Sequence, residues 1–138
     1  MRLAIVWGIS MLATAICTGS SRPQGAREPE ARWTAPARQA ARTNPLAGRA
    51  DVDVVRGGDK LFQERCSACH GQDARGTNRG PDLLTRKVQA QSDGALFWKV
   101  SSGNTRTGMP TFSFLPELQR WQLVMHLRAH ARGGPTVP

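Results

Sequence analysis

The chain has 138 residues, 39% of them hydrophobic and 21% charged, and its 19 Lys+Arg against 10 Asp+Glu give a net charge of +9. That length holds one ordinary domain, and the composition is that of a soluble globular unit rather than a disordered chain or a multi-span membrane protein. The positive excess is split evenly between residues 18–50 and residues 51–133; with no basic helix and no aromatic platform among the basic residues, a nucleic-acid function is excluded.

In chain order, Met1-Arg2 leads into an apolar run from Leu3 to Ile16, broken only by Gly8, Ser10 and Thr14, and then into the small polar residues Thr18 to Ser21. The run is too short to span a bilayer and has the layout of a secretory signal over residues 1–19. The expected location is therefore periplasmic. Cleavage after Ala13-Thr14-Ala15 or near Cys17-Thr18-Gly19 fits the signal, and retention as a membrane anchor is the competing reading. Residues 20–50 carry Pro23, Pro29, Pro36 and Pro45 among Ala, Arg, Gly and Ser without apolar periodicity, so they read as a Pro/Arg-rich linker or arm. Trp33 and Asn44-Pro45-Leu46 are the points at which that arm could fold back. Residues 51–133 read as the domain and residues 134–138 as a tail.

Within the domain, Val54, Val55, Gly58, Leu61 and Phe62 recur at helical spacing, which predicts a helix from Asp51 or Asp53 to Cys66. Gly57 and Gly58 weaken its interior, and close approach of another helix would give them a reason. A second helix is expected over Ser92–Ser102, with Ser92 as N-cap, Asp93 in its first turn and Gly103 at its stop. The third runs from Pro116 to about Arg132, where Leu118, Trp121, Leu123, Val124, Met125 and Leu127 form a broad apolar face. No stretch alternates as a strand would, so the fold class is all-α. A domain of this size is short of core and calls for a staple or cofactor.

Cys66-Ser67-Ala68-Cys69-His70 supplies one. Two cysteines three residues apart at a helix end can each add to a vinyl group of a porphyrin, and the adjacent imidazole then reaches the iron; C-x-x-C-H is the attachment sequence of c-type haem. A thioredoxin-like dithiol needs a βαβ context and a zinc site needs a second ligand pair, and the sequence has neither. The expected cofactor is one haem c, bound covalently through Cys66 and Cys69 with His70 as an axial ligand. Gly108-Met109-Pro110 lies 39 residues after His70. A thioether there would complete a His/Met pair, which raises the haem potential. Met125 is the fallback, but it falls mid-helix and reads as core.

With these motifs in hand, the chain resembles a class I cytochrome c over about residues 52–132. The resemblance runs through Gly58-Asp59-Lys60-Leu61-Phe62, Cys66-x-x-Cys69-His70-Gly71, Gly80-Pro81-Asp82-Leu83, Leu96-Phe97-Trp98-Lys99-Val100, Gly108-Met109-Pro110-Thr111-Phe112 and Arg120-Trp121-x-Leu123-Val124. It implies a cytochrome c fold with helices around one haem, the first and last crossing at Gly58 and Phe62 against Leu123 and Leu127. It also implies that the Pro81 carbonyl accepts the Nδ1 hydrogen of His70; Trp98 and Arg75 or Arg79 could meet the haem propionates, with a core tryptophan and solvated arginines as the competing readings. The chain departs from many relatives in having no Tyr, a Pro at 116 in place of a Ser or Thr cap, and a short loop from Gly71 to Asp82.

The function implied is single-electron transfer rather than catalysis, by a periplasmic carrier or the electron-transfer subunit of a respiratory or dehydrogenase system. Its partners would be redox proteins docking transiently at the exposed haem edge, with membrane association through an uncleaved N-terminus or a larger complex. The competing class is a haem enzyme or gas sensor in which Met109 does not bind and the sixth iron position is open.

Overall fold

Proline spacing shapes the first ordered stretch. In a computed structural model that describes residues 33–49 and 51–133, Pro36 stands at the N-cap of a single turn, α1 (Ala37–Ala40). Pro45 follows in a turn in which the Leu46 amide donates to the Asn44 side chain at 2.9 Å. The expected signal or anchor over 1–19, the beginning of the 20–50 segment and the 134–138 tail lie outside the described residues.

The first long helix, α2 (Val52–Arg65), begins where the Asp51 carboxylate accepts the Val54 amide at 2.8 Å. Cys66 ends it and opens a four-residue turn, α3 (Ser67–His70), so the attachment motif is itself helical. After a loop comes α4 (Arg86–Gln89), capped by Thr85. Helix α5 (Asp93–Ser102) has the Ser92 cap and Asp93 first turn that the sequence predicts, with Ser92 Oγ accepting the Ala95 amide at 3.2 Å. A 3-10 turn, Thr105–Thr107, precedes the last helix, α6 (Glu117–Ala131). Pro116 is the residue before that helix and not its first turn: it caps by backbone geometry, with φ −49° and ψ 144°. Among the described residues every regular element is helical, and the fold is all-α.

Helices α2 and α6 pack most extensively on one another. A methyl group at Gly58 would drive into the backbone carbonyl of Gln122 and the Cβ of His126. The two helices thus touch where only hydrogen fits, which gives the helix-weakening glycine its reason. Phe62 packs with Leu123 and Leu127 as expected, while the contact at Gly58 itself is with Gln122 and His126.

Helix α6 divides the apolar interior. Trp121, Val124 and Met125 pack with Leu46, Leu96 and Phe97 on one side; Leu123 and Leu127 pack with Phe62, Ala74, Phe112 and Leu115 on the other. Its breadth of apolar face follows from serving both. Each of the fully buried large side chains, Trp121, Phe62, Phe97, Leu123 and Val124, contributes on the order of 1.5–3 kcal/mol.

Residues 33–49, whose composition reads as a linker or arm, lie along α5 and α6 as a strap. Leu46 enters the core and Asn44 is buried, its Nδ2 donating to Asp93 at 2.8 Å and facing the Met125 sulfur at 3.2 Å. Ser92 Oγ donates to the Ala40 carbonyl at 2.6 Å, and Arg42 pairs with Glu117 at 2.6 Å while its guanidinium lies 4.5 Å from the centre of the Phe97 ring. Gly94 has room only for hydrogen against the carbonyls of Gln39, Ala40 and Arg42. Proline and arginine content hides this docking because it rests on a few specific hydrogen bonds and on two apolar residues, Ala35 and Leu46.

Candidate haem site

Helix α3 and its N-cap, Cys66, bring both cysteines and the histidine within about one turn. Its hydrogen bonds are short-range: the His70 amide donates to the Cys66 carbonyl at 2.9 Å and the Cys69 amide to the same oxygen at 3.1 Å. Both thiols are free and half-buried. Burial, and then the proximity of Cys69, push the Cys66 thiol up to about 11, so near neutral pH it remains S–H.

His70 is buried, and its Nδ1 lies 2.9 Å from the Pro81 carbonyl. A carbonyl can only accept, so Nδ1 carries the hydrogen and Nε2 of the neutral ring keeps a lone pair, the state a metal ligand needs. The loop from Gly71 to Asp82 is built to deliver that contact. The Gly76 amide donates to the His70 carbonyl at 2.7 Å, Thr77 Oγ1 donates to the Cys69 carbonyl at 2.5 Å, and the Leu83 amide closes the loop on Ala74 at 2.9 Å. Ala74, buried, takes φ +57°, a left-handed conformation that costs a non-glycine residue about 1 kcal/mol. A Cβ on Gly80 would stand 2.9 Å from the Cys69 oxygen and 3.1 Å from His70 Nδ1. The glycine therefore lets Pro81 come close enough to accept.

Met109 sits at the end of a tight hairpin. Its carbonyl accepts the Asn104 amide at 2.9 Å and its amide donates to the Asn104 carbonyl at 3.1 Å, with Gly108 supplying the left-handed turn at φ +88°. The side chain is half-buried against the Phe62–Phe112–Leu115 cluster, which Cys66, Leu61, Leu83, Leu84 and Val100 also join as partly buried members. Cys66 and Met109, 43 positions apart in the sequence, thus share one apolar wall.

Trp98 belongs elsewhere. It lines a groove of about 400 Å³ with Gln39, Arg42, Ser101 and Arg120. Two positions along a helix turn the side chain by about 200°, so Trp98 points away from the side on which Val100 joins Cys66 and Met109. Arg75 and Arg79 are exposed on the 71–82 loop.

The residues present suit a c-type haem: two free thiols about one turn apart, a buried imidazole with its Nδ1 hydrogen committed, and an apolar wall whose edge residues Leu61, Leu83, Leu84, Val100 and Met109 are only half covered by protein. A family model described as cytochrome c oxidase, cbb3-type, subunit III matches residues 53–127, more than half of the chain. The chain belongs to this family. Its matched segment is a class I c-type cytochrome domain, which binds haem c and carries electrons through it. A search among curated proteins found no match. Among the described residues no helix is long and apolar enough to cross a membrane.

The residues that sequence reasoning missed around this site are the supporting ones. Gly80 and Thr77 hold the 71–82 loop, and Asn104 closes the Met109 hairpin. Glycine before Pro81 was visible as a turn signal, but nothing in the sequence pairs Asn104 with Met109.

Proposed function

We propose that this cytochrome domain transfers single electrons through a haem held by Cys66 and Cys69 with His70 and Met109 as axial ligands, on the exported side of the membrane. The observation that carries the reading is the His70 Nδ1–Pro81 contact at 2.9 Å. It commits the imidazole to the tautomer with Nε2 available and supports that ring's strength as a donor. Cys66 and Cys69 would hold the porphyrin, each adding its S–H across one vinyl double bond with no atom lost. The haem supplies a one-electron couple. Leu61, Leu83, Leu84 and Val100, half covered by protein, would exclude water from it, and the Met109 thioether would favour the reduced iron.

With His70 and Met109 both holding the iron, no position would be left for a substrate, and the protein would serve as an electron carrier or an electron-transfer subunit rather than a self-sufficient enzyme. The name of the matched family, an oxidase subunit, favours association with a larger redox complex, through the N-terminal segment or through docking at the haem edge. Potentiometric titration of the matured protein and of Met109→Ala tests the ligand set. The variant should keep its haem, show a lower potential and bind CO when reduced. An unchanged potential would remove Met109 from the iron.

A further inference from the structure

The hairpin that presents Met109 is joined to the strap by a hydrogen bond at its root. Trp33 Nε1 donates to the Gly103 carbonyl at 2.8 Å, and the Lys99 ammonium lies 4.5 Å from the centre of the Trp33 ring. Gly103 is the residue at which α5 ends and the hairpin begins. It is buried, with φ +62°, and a Cβ there would collide with the Pro110 carbonyl and the Thr111 nitrogen. Its amide is fixed by the Lys99 carbonyl at 3.0 Å. Its own carbonyl takes the Trp33 hydrogen bond, with Ser102 Oγ a longer second donor at 3.3 Å.

The far side of the hairpin is tied to the same helix end. Phe112 donates to the Val100 carbonyl at 3.3 Å, and Thr111 Oγ1 to that of Ser101 at 2.7 Å. The hairpin and the C-terminal end of α5 therefore form one piece, and the position of Gly103 sets the position of Met109. The strap grips α5 at both ends: at Ser92, Asp93 and Gly94 through Asn44 and the carbonyls of Gln39, Ala40 and Arg42, and at Gly103 through Trp33.

We propose that Trp33 is a positioning residue for the sixth iron ligand: its indole N–H, acting through the Gly103 carbonyl, holds the Asn104–Met109 hairpin where the Met109 sulfur is kept on the iron. The inference rests on Met109 ligation as read above. The physical basis is preorganisation, since a ligand on a loop fixed at its root loses less freedom on binding and gives way less readily to a competitor.

The test is an imidazole titration of the full, haem-loaded ferric protein, read by loss of the sulfur-to-iron absorption band with helix content followed in parallel by circular dichroism. Trp33→Phe keeps a ring over Lys99 and removes the donor. Its apparent affinity for imidazole should rise about fivefold, the worth of one hydrogen bond, at concentrations that leave the helices intact. Arg42→Ala loosens the same strap away from Gly103 and should leave the affinity unchanged. Equal affinity in Trp33→Phe and the wild type, an equal rise in Arg42→Ala, or band loss that coincides with helix loss would each overturn the proposal. A wild-type protein without the band would instead sink Met109 ligation itself, before any variant is compared.

Discussion

The two sides of α6 are finished by different means. On one side the strap closes the interior with the chain's own groups: Leu46 fills the core, Asn44 and Ser92 satisfy polar neighbours, and Phe97 and Trp121 stack with ring centres 4.1 Å apart. On the other side Leu61, Leu83, Leu84, Val100 and Met109 reach the core edge and stop half-covered, together with Cys66. A small domain that closed both sides by itself would have no room for a cofactor. This one closes the first with the strap of residues 33–49 and leaves the second for a haem, so the strap and the prosthetic group are the two halves of one core.

The largest expected effect comes from removing the cofactor's tether. Cys66→Ala combined with Cys69→Ala should abolish covalent haem, seen as loss of haem staining on a denaturing gel, and leave the half-covered wall facing water. Retention of stain would contradict the attachment. Next, Leu46→Ala on the sealed side should cost about 2–4 kcal/mol in denaturant unfolding, with or without haem. Leu84→Ala on the open side should cost about 1 kcal/mol or less in the haem-free chain and more once haem is bound. Equal costs in both states would erase the distinction between the two sides.

A smaller effect is expected at His126, which is buried at the α2–α6 contact with its Nδ1 3.7 Å from Asp59. Burial, reinforced by His130, lowers its proton affinity against the opposing pull of Asp59. The unfolded chain then takes up a proton near the usual histidine value of about 6.5 while the folded one resists. Stability should accordingly hold above that pH and decline as pH falls below it, by at most about 1.4 kcal/mol per unit. His126→Phe should flatten that slope; an unaltered slope would assign it to other groups. The smallest effect is expected from Arg42→Ala, since an ion pair on the surface of the strap is worth about 0.2–1 kcal/mol; unfolding midpoints that differ by more would mean that the stacking of Arg42 on Phe97 dominates.

The sequence was most legible where local chemistry is repeated. Helices α2, α5 and α6 announce themselves through apolar spacing over ten or more residues and through the Asp51 and Ser92 caps, and the attachment motif carries its own chemistry in five residues. The four-residue turns α1, α3 and α4 are too short for any period to register, although Thr85 marks the start of α4. Family position speaks for Trp98 at the haem, while helix geometry turns it about 200° from Val100, a placement that no local pattern in the sequence reveals. The strap was half-legible: Trp33 and Asn44-Pro45-Leu46 stand out against their surroundings, but which carbonyl the indole reaches, 70 positions away, is a tertiary fact that no local pattern encodes.

The most direct test of the account is an optical spectrum of protein matured where haem is attached to cysteine, recorded oxidised and reduced, with and without CO. His70/Met109 ligation predicts a sharp low-spin reduced spectrum, a weak sulfur-to-iron band when oxidised, and no response to CO. A high-spin spectrum that shifts when CO is added would contradict it and would mean an iron open to a substrate or a gas.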